Sequence, residues 1–505
     1  MEPVVLSSRI SAKGAFDLAQ KTLTRMGLPE RLSQLHEAGV SIRRSVLGGS
    51  HSVAVYPPIN SLTPADGRDV VGALDCGPDV SLYVHVAFCE TRCTFCHYTV
   101  QNYSGAGRSA HADLAVSRYV EALRRELAAW GDRLARSGTA LSSIYIGGGT
   151  PLVLDSETLA GLLALIQERF SILPGAEICI EGSPLTITAP DGPDKLWRLK
   201  GLGVTRLSFG VQSFDDSVLK YAARGYTHEV PVRAAEIVEA IFDNWNIDLI
   251  QGLYRGSPRE TWTNLEAIAR LRPPHLTWYH ARFSDRPQGA WYNSADRHAA
   301  FEDEPDLLLG RTLIWQGMTR LGYQRIDGNR FVRERRYIDP FKSIRTSASR
   351  NLLGVGAGAY SHIAGPGGDD RWGMIFRNSA DIPTYVARVL KDESPIATAR
   401  CIDDTELLAA SYATGLRGGR VESRDVCEIG LRLPRLAAHY SALVERLRSL
   451  GVLEDYVDAY GREGLRLTEL GRLFEDETLA LFFSPAVQKA LVAPARSARA
   501  AAPVA

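Results

Sequence analysis

The sequence predicts an α/β protein whose core is a partial or full (β/α) barrel of parallel strands, with an N-terminal extension and a small C-terminal winged-helix-like domain. Three observations lead there. The chain has 505 residues, more than one compact core holds, so two or three domains are expected. Six apolar, β-rich runs alternate with amphipathic stretches through its centre. Helical patterns followed by a hairpin pattern occupy its last quarter.

The six runs are Ser81 to Phe88, Ser142 to Ile146, Glu177 to Glu181, Arg206 to Val211, Trp245 to Ile250 and His275 to Phe283. Between them, Ser117 to Arg136, Glu157 to Phe170 and Thr261 to Arg270 repeat apolar residues at three- and four-residue spacing, the helical period. Strand, helix and strand in succession imply parallel strands with right-handed crossovers. Chemistry on such a scaffold sits in loops at the C-terminal strand ends. The expected units are an extension over 1–78, the core over 79–365, a linker over 366–394, an accessory domain over 395–490 and a disordered tail over 491–505. The linker assignment rests on the turn-rich segment Gly365 to Trp372. In the accessory domain, Asp404 to Thr414 and Leu436 to Leu450 read as helices and Gly451 to Leu467 as a hairpin. The tail is rich in small residues and proline.

Composition excludes several classes. With 45% hydrophobic and 23% charged residues, the chain reads as an ordinary globular protein. Its 58 basic and 58 acidic residues cancel, which argues against a nucleic-acid partner, since a phosphate backbone calls for clustered positive charge. No apolar run approaches the roughly 20 residues of a membrane helix. The first residues lack a basic segment followed by a long apolar one, so no secretory signal is read and a cytoplasmic location is expected. Seven cysteines form no disulfide framework. Three of them crowd together, as metal-binding or catalytic thiols do in a reducing compartment. Cys76, Cys179, Cys401 and Cys427 are scattered and read as small buried apolar residues.

The three clustered thiols are Cys89, Cys93 and Cys96, on the loop after the first predicted strand. Thiolates ligate iron well, and four normally complete a [4Fe–4S] cluster. Three would leave one iron open to a small molecule, such as the amino and carboxylate groups of S-adenosylmethionine (SAM). A zinc site is the competing reading, with His85 or His97 as a fourth ligand. Other positions stand out on physical grounds. Gly147, Gly148 and Gly149 end the second strand, where missing Cβ atoms let backbone amides approach a ligand, or simply make a tight turn. Glu181 and Asp248 are carboxylates in apolar strands, costly unless paired. Tyr83 reads by default as a half-buried strand tyrosine.

Tyr83 to Cys89 running into Cys93-Thr94-Phe95-Cys96 resembles the oxygen-independent coproporphyrinogen III oxidase family of radical-SAM enzymes. The likeness continues in order through Gly147 to Pro151, Ile180-Glu181, Gly210 to Phe214, Asp248 to Leu253 and Gly356 to Ser361, over about residues 80 to 365. The resemblance implies a [4Fe–4S] cluster on Cys89, Cys93 and Cys96 and SAM beside Gly148, Gly149 and Thr150. It implies that Glu181 holds the SAM ribose, with Tyr83 near that first SAM. It further implies a second SAM at Gln212, Arg224 and Asp248, with Phe95 and Ala281 completing the pocket. A flavodoxin or ferredoxin would supply electrons, and a small molecule would be the substrate.

Three departures bear on the reaction. Tyr98 stands where the oxidases carry a further cysteine, Tyr254 follows Gly252-Leu253 where the family has proline, and Tyr360 replaces a small apolar residue. The leading expectation is therefore a methyltransferase or cyclopropanase branch, in which the second SAM supplies a carbon to an unsaturated natural-product intermediate. Coproporphyrinogen oxidation is the alternative, and a haem chaperone with His85 or His97 as haem contacts is a third.

Overall fold

The computed structural model describes residues 11–42, 55–67, 70, 76–96, 98–103, 110–254, 257–281, 304–342, 351–364 and 371–492. The six predicted strands form β1 (Asp79–Val86), β2 (Ala140–Gly148), β3 (Ile172–Gly182), β4 (Arg206–Gln212), β5 (Trp245–Gln251) and β6 (His275–His280). Consecutive members pair in parallel, β1 with β2 through to β5 with β6. The last predicted run ends within the described residues at His280, and Phe283 lies outside them.

Side-chain alternation decides which face each residue serves, because successive residues of a strand point to opposite sides. One set comprises Leu82 and Val84 of β1, Ile144 and Ile146 of β2, Ile178 and Ile180 of β3, Leu207 and Phe209 of β4, Ile247 and Leu249 of β5, and Leu276 and Trp278 of β6. All pack in one hydrophobic core with the crossover helices. The intervening residues are polar and meet one another on the inner face. Ser143 donates to Ser81, Asn246 to Ser208, Thr277 to Asn246, and Tyr145 to Glu181. The crossovers are α1 (Ala110–Ser137) between β1 and β2 and α2 (Ser156–Arg169) between β2 and β3. The helix α3 (Glu229–Ile241) precedes β5, and α4 (Ser257–Leu271) joins β5 to β6.

The barrel is partial. Among the described residues the strands belong to an open 13-stranded sheet. On the β1 side it continues through β7 (Leu352–Val355), parallel to β1, then antiparallel through β8 (Tyr360–Ala364), β9 (Arg371–Asn378) and β10 (Ile396–Asp403). Residues 366–394, expected as a linker, instead supply β9 and the helix Ile382–Leu390. Phe376 and Tyr385 are buried in the main core, so the chain returns to the sheet after the turn-rich segment, of which residues 365–370 lie outside the described part. The expected start of the accessory domain at 395 likewise falls at the edge of β10.

Beyond β10, the helices Asp404–Arg417, Ser423–Gly430 and Pro434–Ser449 lead into a three-stranded sheet of Val421–Glu422, Leu453–Val457 and Glu463–Leu467. That is the helix-and-wing arrangement expected. Residues 12–37 of the extension form two helices whose Leu23, Leu28 and Leu35 join the core of this C-terminal unit. The expected tail keeps order through the helix Pro485–Val492, and residues 493–505 lie outside the described part. Among the described residues no helix is long and apolar enough to cross a membrane.

Candidate active site

The loop after β1 is tied down on both sides. Gly149 donates its backbone N–H to Val86 O (2.8 Å) and Thr150 to Phe88 O (2.7 Å), stitching the end of β2 to the strand that delivers Cys89. On the far side Thr94 donates through its amide to Ala222 O and through its hydroxyl to Tyr221 O. Each thiol on this loop has a neighbour of its own. Cys89 Sγ lies 3.4 Å from Thr150 Oγ1, the Tyr98 backbone hydrogen-bonds Cys96, and Arg224 Nη1 donates to Cys93 Sγ at 2.9 Å.

All seven cysteines are free thiols. Cys76 and Cys179 are buried as expected, but Cys401 and Cys427 are exposed, because β10 and the helix Ser423–Gly430 turn those positions to solvent. Burial pushes the Cys89 thiol up to about 12 and raises Cys96 as well. Thiols so desolvated ionise only against a nearby positive centre, and soft thiolates in a partly dry loop suit iron. Among the described residues no group of three or more His, Cys, Asp or Glu side chains is placed to hold a single metal ion. In a four-iron cluster each thiolate binds a different iron, so the three sulfurs need not converge on one point as zinc ligands do.

His85 is removed from the ligand candidates. Its Nε2 donates to Thr99 O (2.8 Å) and its Nδ1 accepts from the Tyr83 hydroxyl (2.9 Å), and burial lowers it to about 4. Both nitrogens are spent, which also argues against a haem contact. His97 lies outside the described residues.

Above the thiols sit the residues expected around the first SAM. Glu181, at the end of β3, accepts from the Tyr145 hydroxyl and from the Gly148 amide (3.0 Å), and burial raises its pKa. Its observed hydrogen-bond partners are thus a tyrosine and a backbone N–H. The contact requires glycines, since a Cβ at 147 would lie 2.7 Å from Glu181 Oε2, and Gly148 adopts φ +112° against the His85 ring. Tyr83 stacks on Phe341 (5.6 Å between centroids), which also stacks on Tyr145 (4.4 Å).

Of the residues expected around a second SAM, Gln212 ends β4 and Ala281 follows β6, whereas Asp248 lies in the middle of β5. Gln212 holds φ +74°, and its Oε1 is buried with no hydrogen-bond partner among the described residues. That is a strained backbone carrying an unspent acceptor, a combination found where a ligand is held. Asp248 accepts from Asn246 Nδ2 (2.8 Å) and lies 3.6 Å from Lys342 Nζ. Phe95 and Ala281 line the same small apolar cluster with Val218, Ala222 and Leu253. Tyr98 is 55% exposed.

Sequence reasoning missed Phe341 and Lys342. They lie in a stretch with no periodic pattern, and only the rarity of lysine (eight of 58 basic residues) marked the latter. Lys342 is buried and donates to Thr277 (3.2 Å) on the inner face, so it partly neutralises Asp248. Below it a polar floor closes the sheet: Arg206 donates to Asn244, to Tyr337 O and to His275.

Comparison with known proteins agrees with this geometry. Residues 83–271 match the model of the Radical SAM superfamily. The chain is 27% identical over 299 residues to the heme chaperone HemW of Escherichia coli, covering 58% of this chain and 72% of that one. It is 27% identical over 389 residues to the oxygen-independent coproporphyrinogen III oxidase of Bradyrhizobium diazoefficiens, covering 74% and 79%. The solved coproporphyrinogen III oxidase (HemN) of Escherichia coli superposes with a TM-score of 0.68 at 24% identity, over 85% of this chain and 96% of that one. Radical-SAM proteins use a [4Fe–4S] cluster and SAM, and the three thiols on the loop after β1 fit the cluster. Residues 83–271 thus carry a radical-SAM domain, in a chain similar to the oxygen-independent coproporphyrinogen III oxidases and heme chaperones named above.

Proposed function

We propose that Cys89, Cys93 and Cys96 hold a [4Fe–4S] cluster and that this enzyme cleaves SAM reductively to take a hydrogen atom from a carbon of a small-molecule substrate. The observation that carries this is the continuity of the site: Cys89 touches Thr150, and Gly148, two residues earlier, holds Glu181. When bound, the cluster supplies the electron that breaks the C5′–S bond of SAM, giving methionine and a 5′-deoxyadenosyl radical. With Cys89, Cys93 and Cys96 as its protein ligands, the cluster would keep one iron free for the SAM amino and carboxylate groups. Gly148 and Gly149 let the end of β2 pack closely against His85 and Phe88 beside the ligand, and Glu181, held by Gly148 and Tyr145, accepts from the ribose hydroxyls. Tyr83, Tyr145 and Phe341 form an aromatic wall that excludes water from a reactive radical. A flavodoxin- or ferredoxin-type protein delivers the electron.

For the substrate, the two oxidases among the named relatives favour a coproporphyrinogen: the 5′-deoxyadenosyl radical takes a hydrogen atom from a propionate side chain, carbon dioxide leaves, and the remaining electron passes to an external one-electron acceptor, giving a vinyl group. A second reading has its own observation. Tyr98 occupies the position of the oxidases' further cysteine, while Phe95 and Ala281 share one apolar cluster and Gln212, at the end of β4, keeps a buried acceptor with no partner among the described residues. Those positions suit a second SAM whose methyl group is the hydrogen donor and carbon source, giving methylation or cyclopropanation of an unsaturated carbon.

Labelling separates the two. Incubation with SAM bearing a CD3 group and coproporphyrinogen III yields carbon dioxide and unlabelled product if the first reading holds. Deuterium in both 5′-deoxyadenosine and a new carbon of an unsaturated acceptor, with no carbon dioxide from coproporphyrinogen III, establishes the second. Failure to form any 5′-deoxyadenosine with dithionite-reduced enzyme overturns both.

A further inference from the structure

We infer that Arg224 sets the reduction potential of the cluster through Cys93, a role separate from holding any SAM carboxylate; the inference rests on the cluster assignment above. The guanidinium is buried and spends all three nitrogens: Nη1 donates to Cys93 Sγ (2.9 Å), Nη2 to Gly210 O (2.6 Å) and Nε to the Tyr226 hydroxyl (2.8 Å). Two of these anchors belong to β4 and to the turn after it, so the charge cannot swing away from the sulfur with solvent. Arginine never loses its charge in a protein. A fixed cation beside a ligand sulfur stabilises the reduced cluster, which carries one more negative charge, and hydrogen bonds to the sulfurs are a recognised lever on potential.

The three sulfurs are unequally served. Cys89 has a hydroxyl neighbour at 3.4 Å and Cys96 a backbone one, whereas Cys93 alone meets a charged donor among the described residues. Charge-assisted hydrogen bonds are roughly twice as strong as neutral ones, so Cys93 is the sulfur through which a hydrogen-bonded charge would bear most directly on a bound cluster. The loop does not need the arginine to hold its place. Thr94 is bonded to Ala222 O and Tyr221 O on the same turn independently of it. A substitution at 224 therefore changes the field at Cys93 and leaves the loop anchored.

The test is EPR-monitored redox titration of anaerobically reconstituted protein without SAM, alongside iron and sulfide analysis. Arg224→Met is expected to keep about four irons and to shift the midpoint to more negative potential. Arg224→Lys, which keeps the charge, shifts less, and Thr150→Val, which removes only a neutral neighbour of Cys89, shifts less than Arg224→Met. A wild-type midpoint in Arg224→Met at full iron content overturns the inference. If Arg224→Met loses the cluster, Arg224→Gln is read in its place with the same expectation. Loss of iron in both, with retention in Arg224→Lys at an unchanged midpoint, makes Arg224 a clamp for the loop and also overturns it. Wild-type protein that takes up no iron–sulfur cluster refutes the function proposed above and is distinguished from these outcomes by the iron analysis.

Discussion

Gly149→Ala isolates the packing that fixes the cysteine loop. Gly149 has no strained φ, so the substitution adds volume and nothing else. Its Cβ would stand 2.2 Å from Phe88 O, 2.8 Å from Phe88 C and 2.9 Å from Val86 O. All three are backbone atoms and have no rotamer into which to retreat. An ordinary carbon–oxygen contact is about 3.3 Å or more, so the strand bearing Cys89 must move by roughly 1 Å. Two backbone hydrogen bonds cross that seam, Gly149 to Val86 and Thr150 to Phe88. Overpacking costs about 1–3 kcal/mol and each weakened hydrogen bond about 1 kcal/mol. A total near 3 kcal/mol corresponds to roughly 6–12 °C in Tm for a domain of a few hundred residues. The assay is a thermal melt of the metal-free protein followed by iron analysis after reconstitution. The expected result is the lowered Tm together with less than about half of the wild-type iron, since each thiolate is a direct ligand. Gly201→Ala, where no atom lies within 4 Å of the new Cβ, serves as control and changes stability by no more than about 0.5 kcal/mol. Gly149→Ala protein with wild-type Tm and full iron content would refute the reasoning.

Three further outcomes are expected. Changing Cys89, Cys93 or Cys96 to Ala abolishes iron–sulfur absorbance, while Cys76, Cys179, Cys401 and Cys427 are individually replaceable; tight zinc binding by the wild type would contradict this. Glu181→Gln weakens SAM binding and 5′-deoxyadenosine formation by roughly tenfold, because a neutral amide accepts hydrogen bonds less strongly than a carboxylate; unchanged affinity and rate would remove Glu181 from the site. His85 is held neutral by burial, at about 4 against 6.5 unfolded. A base with a lowered folded pKa contributes its stability above pH 6.5 and loses it as pH falls toward 4. The loss is on the order of 3 kcal/mol, so denaturant titrations of His85→Gln show a shallower acid loss than wild type, and parallel profiles would exclude the effect.

The sequence by itself determined the strands and their faces. In Leu207-Ser208-Phe209-Gly210 the alternation of apolar with small or polar residues is a local signal, and period two assigns Leu207 and Phe209 to the helices and Ser208 and Gly210 to the interior without knowledge of any partner. Cys89, Cys93 and Cys96 were legible for the same reason, being three donors within one loop. Where that local signal was short of context it misled. The turn residues from Gly365 to Trp372 read as an exit from the core, yet β9 and Tyr385 return to it. A turn marks a change of direction, and only the sheet decides what lies beyond it. Cys401 and Cys427 read as buried because composition carries no information about facing. Tertiary structure alone decided the partners of the charged groups. Arg224 meets Cys93 across 131 residues of sequence, and Lys342 reaches Asp248 from a stretch without periodicity. Such pairs arise because right-handed crossovers bring distant strand ends side by side, and a buried charge then takes whichever counter-charge the packing places within reach.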